Sequence, residues 1–149
     1  MNRLLLAALA IALTAGCGAA VAQSYEFRNG YVFDQPYVER ISLNQAEKIA
    51  NVPKLFEHLM TFDWTQKKEE IKDKRVRRVG DRLILTFSSR AKLSLKNFST
   101  RKGDGESQVF KYIKSVPGYH IIGVEYGHDQ PQFLLVSESG AHIYFVNTN

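Results

Sequence analysis

Arg82-Leu83-Ile84-Leu85-Thr86-Phe87-Ser88-Ser89-Arg90-Ala91-Lys92-Leu93-Ser94-Leu95-Lys96 is the stretch that decides the fold class. Leu83, Leu85 and Phe87 alternate with Arg82, Ile84 and Thr86, and after Ser88-Ser89-Arg90 the residues Ala91, Leu93 and Leu95 alternate with Lys92, Ser94 and Lys96. A period of two puts every second side chain on one face only if the backbone is an extended strand. Two such runs joined by three polar residues predict a β-hairpin with one apolar face and one polar, basic face. Gly80-Asp81 marks a turn just before it, so the extended pattern starts near Val76.

Towards the C-terminus the same rhythm continues. Gly103-Asp104-Gly105 marks a loop, and Gln108 to Lys114 reads as a strand ended by Pro117-Gly118. Tyr119 to Tyr126 is the next, ended by Gly127-His128-Asp129-Gln130-Pro131. Gln132 to Ser137 follows, and Ser139-Gly140 turns the chain into Ala141 to Val146. Turns every ~8–12 residues are the spacing of an antiparallel meander.

Towards the N-terminus the period lengthens. Ser42 can cap a helix, with Gln45 three residues on at capping-box spacing, and that helix is expected to run to about Asn51. Pro53 suits the first position of a second helix. Leu55, Phe56, Leu59, Met60 and Phe62 follow at helical spacing, with Trp64 and Ile71 continuing the stripe and Gln66 to Glu70 a solvated turn or frayed end. Tyr25 to Phe33, around Asn29-Gly30, reads as a short hairpin or extended arm. The expected fold is α+β: a short N-terminal helical segment packed on a six- or seven-strand antiparallel β-meander.

The first residues carry a different signal. Met1-Asn2-Arg3 is a short basic start and Leu4 to Leu13 an apolar run, too short for the ~20 residues a membrane span needs. Two processing sites are written after it. Ala20-Val21-Ala22 is the small-x-small pattern of a secretory signal peptidase, giving a signal peptide of residues 1–22 and one mature domain of residues 23–149. Leu13-Thr14-Ala15-Gly16-Cys17 resembles a lipobox, giving a lipoprotein signal of residues 1–16 with Cys17 lipidated. The expected location is therefore periplasmic or secreted, or membrane-anchored through Cys17, with no transmembrane helix once the signal is removed.

Cys17 is the sole cysteine of the 149 residues. Ordinary cleavage removes it, which excludes a disulfide framework, a thiol nucleophile and cysteine-ligated zinc. The 44% hydrophobic and 11% aromatic content is that of a globular chain. The formal net charge of +5 is concentrated. Lys67, Lys68, Lys72, Lys74, Arg75, Arg77, Arg78 and Arg82 are accompanied only by Glu69, Glu70, Asp73 and Asp81, and Arg90 to Lys102 contains no acid.

Tyr112, Pro117-Gly118-Tyr119-His120, Val124-Glu125-Tyr126, Gln132 to Val136 and Ser139-Gly140 together form a recognisable pattern. The stretch Tyr112 to Gly140 resembles the blade-like β-meander of uncharacterised small exported bacterial proteins. That resemblance covers about a quarter of the chain and implies no catalytic residue. A full propeller needs several blades, for which the chain has no room.

No catalytic or metal-binding constellation is written locally. His58, His120, His128 and His142 fall at neither His-x-His nor His-x-x-x-His spacing, so no metal site and no cofactor are expected. His120 and His142, in strands, can fall near each other in the sheet. His128-Asp129 could form an oriented pair, but no Gly-x-Ser-x-Gly nucleophile turn accompanies it. Asp104 and Glu106 are too few for a calcium loop, and Gly103-x-Gly105 lacks the strand and helix of a phosphate cradle.

The positive feature is the basic hairpin face. Arg82, Lys92 and Lys96 share one side of the sheet by alternation, and Arg75 and Arg77 extend the patch. A basic face attracts polyanions, and export argues against nucleic acid. The sequence thus predicts a non-enzymatic envelope protein that binds an envelope protein or a polyanionic envelope component through Arg75, Arg77, Arg82, Lys92 and Lys96. Two alternatives stand beside it: a cell-wall hydrolase using His128 and a carboxylate, and a structural lipoprotein fixed by Cys17.

Overall fold

The computed structural model describes residues 24–27, 31–61, 64, 67–99, 107–126 and 132–148. Among them the chain forms β1 (Tyr25–Phe27), a 3-10 turn (Val32–Asp34), β2 (Val38–Ser42), α1 (Leu43–Ala50) and α2 (Leu55–Thr61). Then come β3 (Val76–Val79), β4 (Arg82–Thr86), β5 (Lys92–Lys96), β6 (Phe98–Ser99), β7 (Ser107–Val116), β8 (Tyr119–Glu125), β9 (Gln132–Ser137) and β10 (Ile143–Asn147).

The fold is mainly β with two short helices, and the single meander is corrected to two sheets. One has four strands in the order β1-β5-β4-β3, the other six in the order β2-β10-β9-β8-β7-β6. Both are mixed, because β1 runs parallel to β5 and β2 parallel to β10. The break falls at Asn97. Its backbone N–H donates to the carbonyl of Asp81 in the first sheet (2.8 Å), while its Oδ1 accepts from the Phe110 N–H in the second (2.9 Å). One residue therefore satisfies backbone groups in both sheets and sends the chain from one to the other.

The alternating hairpin is present in register. Leu83 pairs with Leu95 and Leu85 with Leu93, and all four are fully buried. Their side chains meet Phe110, Tyr112, Ile122, Val124, Leu134 and Val136 of the larger sheet in one core. The opposite face of that sheet carries Val116, Ile121, Phe133, Leu135, Tyr144 and Val146, which pack under Ala46, Ala50, Phe56, Leu59 and Trp64. The larger sheet is thus the middle of three layers. This explains why β9 is buried at every position: a strand covered on both faces reads as a continuous apolar run, not as an alternation.

The helix start follows the sequence. Ser42 Oγ accepts from the Gln45 N–H and Gln45 Oε1 accepts from the Ser42 N–H, so both orphan donors of the capping box are satisfied. Asn51 ends α1 in the left-handed conformation (φ +53°), where the Asn side chain is tolerated. The second helix begins at Leu55 and not at Pro53, because Lys54 is itself left-handed (φ +59°) and interrupts the turn. Ahead of the helices, the N-terminal segment contains the extended strand β1, which adds to the edge of β5 in parallel. Asn29-Gly30 lies outside the described residues.

Trp64 carries the fit between the helical layer and the sheet. It is 5% exposed, with its ring 5.9 Å from that of Phe133. The end of its ring lies against Gly123 in β8, where a Cβ would collide with the indole.

Candidate functional site

The outer face of the four-stranded sheet follows from the register. Leu83, Leu85, Leu93 and Leu95 point inward, so Arg82, Ile84, Thr86, Lys92, Ser94 and Lys96 point outward. Arg77 of β3 lies opposite Ile84, and Val79, 51% exposed, opposite Arg82. Arg82 pairs directly with Lys96. Of the predicted residues, Arg77, Arg82, Lys92 and Lys96 are therefore brought together. Arg82 is held from one side by Glu26 of β1, at 2.7 Å. Arg75 is not available in the same way. Its guanidinium binds Asp73 (3.1 Å) and Glu138 (3.0 Å), and those hydrogen bonds raise its already high pKa.

A second basic feature was not foreseen. Between α2, the segment after it and β7 lies a groove of about 400 Å³. Leu55, Leu59, Trp64 and Ile113 line it with apolar surface, and Lys67, Lys68, Lys111, Lys114 and His58 border it. Lys111 Nζ donates to the Trp64 carbonyl at 2.9 Å. Glu69 also lines the groove, but its carboxylate is held by Arg78 through two hydrogen bonds (3.0 and 2.8 Å) and by the Tyr112 N–H (2.8 Å). Burial opposes its charge, yet Arg78 and the Tyr112 N–H outweigh that and keep its carboxyl below the usual range. The expectation of a merely solvated turn here is corrected for Glu69, which is 17% exposed and committed to Arg78. No local motif reveals this groove, because its walls come from residues 55–70 and 111–114, which are far apart in the sequence.

A third feature is buried. His120 is fully enclosed between the sheets, its Nδ1 3.0 Å from Tyr112 Oη and 3.9 Å from Asp73 Oδ2. Asp73 in turn holds Arg75, which reaches Glu138. Burial lowers the His120 pKa and raises that of Tyr112 to about 12. Hydrogen bonding from Arg75 lowers that of Asp73. His120 Nε2 has no hydrogen-bond partner. The network resembles an oriented imidazole, but a side chain with no exposed surface cannot meet a substrate. Its visible role is to tie the chain entering β3 to β8 and to the end of β9. His142 does not join it. That ring stacks on Tyr144, which packs on the helix side of the sheet.

His128, Asp129, Asp104, Glu106 and Cys17 lie outside the described residues. Among the described residues no group of three or more His, Cys, Asp or Glu side chains could hold a metal ion, and no helix is long and apolar enough to cross a membrane. Comparison with protein-family models, with curated proteins and with solved structures finds no match to this chain.

Proposed function

We propose that this chain is an exported envelope protein that binds a polyanionic envelope component through the outer face of its four-stranded sheet, without catalysing a reaction. The observation that carries the reading is the direct cross-strand pairing of Arg82 with Lys96, with Arg77 and Lys92 on the same face. Like charges directly opposite on neighbouring strands destabilise a sheet. Glu26 offsets only part of that repulsion, so the face is left positive.

The shape of the face favours a charged polymer over a folded protein. Four strands of three to five residues cover roughly 300 Å² at the usual strand rise and spacing. A specific protein interface needs about 800 Å² on each partner and is enriched in aromatic anchors. The outward positions here carry Arg, Lys, Glu, Thr, Ser, Ile and Val, with no aromatic anchor among them.

Titration of the purified protein with fluorescent lipopolysaccharide and with a teichoic acid tests the reading. Affinity should fall roughly tenfold or more between 50 and 200 mM salt, as expected when a few cations release counterions. The variant Arg77→Glu/Lys92→Glu/Lys96→Glu should lose binding with its circular dichroism intact. Salt-independent binding, or full binding by the variant, would overturn the proposal.

A further inference from the structure

We propose that the cleft between the starts of β2 and β10 binds a primary alkylammonium group, with Glu39, His142 and Tyr144 accepting its N–H donors and Pro36 and Ala141 beside its aliphatic stem. This site lies on the larger sheet and stands whether or not the outer face of the smaller sheet binds a polymer.

The first argument is how the strands bring these side chains together. The parallel register sets Glu39 directly opposite Tyr144. Ile41 and Tyr144 both pack on the helix side of the sheet, so alternation along β2 sends Glu39 to that side as well. Burial, then Tyr119, then Glu39 raise the pKa of Tyr144, so the carboxylate is near enough to be felt by a hydroxyl that stays neutral. The His142 ring stacks on that of Tyr144, with centroids 5.5 Å apart and planes 9° from parallel. Tyr144 thus joins the carboxylate and the imidazole in one cluster. All three line a cleft of about 440 Å³, within the range of pockets that take small ligands.

The second is charge and hydrogen-bond valence. No Lys or Arg lines the cleft, so its one formal charge is the Glu39 carboxylate, in a chain of net charge +5. Glu39 and His142 are exposed, and among the described residues neither they nor Tyr144 makes a side-chain hydrogen bond or ion pair. The carboxylate, the phenol oxygen and one nitrogen of a neutral imidazole are all acceptors. A primary ammonium carries three donors, no acceptor and one positive charge, and so matches the cluster in number and in sign. A quaternary ammonium has no donor to give and needs open aromatic faces, whereas one face of Tyr144 is already taken by His142. A neutral sugar would leave the carboxylate charge unpaired.

The third is that the walls are fixed before any ligand arrives. Ser137 Oγ accepts from the His142 N–H (3.0 Å) and the Ser137 N–H donates to the His142 carbonyl (2.9 Å), so both backbone groups of His142 are held. In the same turn Ser139 Oγ accepts from the Ala141 N–H (3.2 Å). Across the cleft the Val38 N–H donates to the Gln35 carbonyl (3.1 Å) and fixes the chain entering β2. Acceptors already in place lose less freedom on binding.

Nuclear magnetic resonance of the isotope-labelled protein reads the cleft residue by residue. The protein is titrated at neutral pH with n-butylamine, which is then an ammonium, with n-butanol and with tetramethylammonium. The expected result is saturable shifts centred on Glu39 and on Ala141 to Tyr144, with butylammonium at least about tenfold tighter than either other probe. Glu39→Gln keeps the shape of the side chain and removes its charge. It should weaken butylammonium by roughly tenfold, the worth of a hydrogen bond to a charged group. Glu57→Gln, the same change at an exposed position of α2, should leave the affinity as it is. An unchanged spectrum away from the substituted residue establishes that each variant folds. Equal binding of butanol or tetramethylammonium, no saturable binding, shifts that miss the cleft, or an unchanged affinity in Glu39→Gln would each overturn the site. So would equal weakening by the two variants. Cadaverine and a lysine blocked at both its amino and carboxyl ends then separate a free amine from a lysine side chain, and preferential binding of either upholds the site.

Discussion

Gly123→Ala isolates the contact that joins the helical layer to the central sheet. Two effects oppose each other. Alanine restricts the unfolded chain and suits a strand better than glycine, which favours the variant by about 0.5–1 kcal/mol. Against that, the new Cβ would run into three atoms of the Trp64 indole. The ring has little room to retreat. It is almost fully buried and also packs on Phe133, which is itself fully buried. Overpacking of this kind costs about 1–3 kcal/mol, and expelling the indole to solvent costs a similar or larger amount. The net expectation is a loss of about 1–2 kcal/mol. With a slope of about 1–3 kcal/mol per molar urea, the unfolding midpoint should fall by ~0.5–1 M. Trp64 fluorescence follows the transition and far-UV circular dichroism checks it. Shrinking the ring relieves the collision, so Gly123→Ala in a Trp64→Leu background should cost less than in the natural chain. An unchanged or raised midpoint, or strictly additive costs in the double variant, would show that Trp64 does not sit on Gly123.

Three other outcomes follow from the described contacts. Burial lowers the His120 pKa from 6.5, so below that pH the unfolded chain binds the proton that the folded chain refuses. Stability should therefore fall as pH drops from 6.5 towards the lowered value, and His120→Gln should flatten urea midpoints in that window. The lowered carboxyls of Asp73 and Glu69 act in the same direction further into acid, below their usual 3.8 and 4.5. Ser42→Ala removes the acceptor for the Gln45 N–H and should cost about 1 kcal/mol, read as a lower melting temperature. Arg78→Ala leaves the Glu69 carboxylate half-desolvated and the Phe110 carbonyl without the guanidinium donor. It should cost about 3 kcal/mol, and Glu69→Gln/Arg78→Ala should recover part of that in a double-mutant cycle.

Much of the strand pattern was readable from the residues. The alternation from Arg82 to Lys96 gave the hairpin and its faces, because period two has one structural meaning. Pro117-Gly118 and Ser139-Gly140 placed the later turns, since only glycine takes the positive φ found at Gly118 and Gly140 without strain. The layering was not read, although Gln132 to Ser137 carried a sign of it. Phe133-Leu134-Leu135-Val136 is apolar without alternation, as a strand covered on both sides must be. The two parallel edge strands left no local mark, because parallel pairing joins residues far apart, such as Tyr25 with Leu93 and Val38 with Ile143.

The site divides the same way. Arg77, Arg82, Lys92 and Lys96 were legible as a face because they lie within one meander. Arg75 is held both by Asp73, its near neighbour in sequence, and by Glu138, 63 residues away, and only the first contact has a local mark. The groove was invisible because its two walls, residues 55–70 and 111–114, meet only in the folded chain.

The central claim is that the outer sheet face binds, and not the charge of the chain at large. Lipopolysaccharide binding at fixed salt by Arg77→Glu/Lys92→Glu/Lys96→Glu is therefore set against Lys48→Glu/Lys54→Glu/Lys72→Glu, which makes the same change in net charge at exposed positions elsewhere. Loss of binding in the first with near-natural affinity in the second is the predicted result. Equal weakening in both would contradict the account and reduce the basic face to a share of the overall charge.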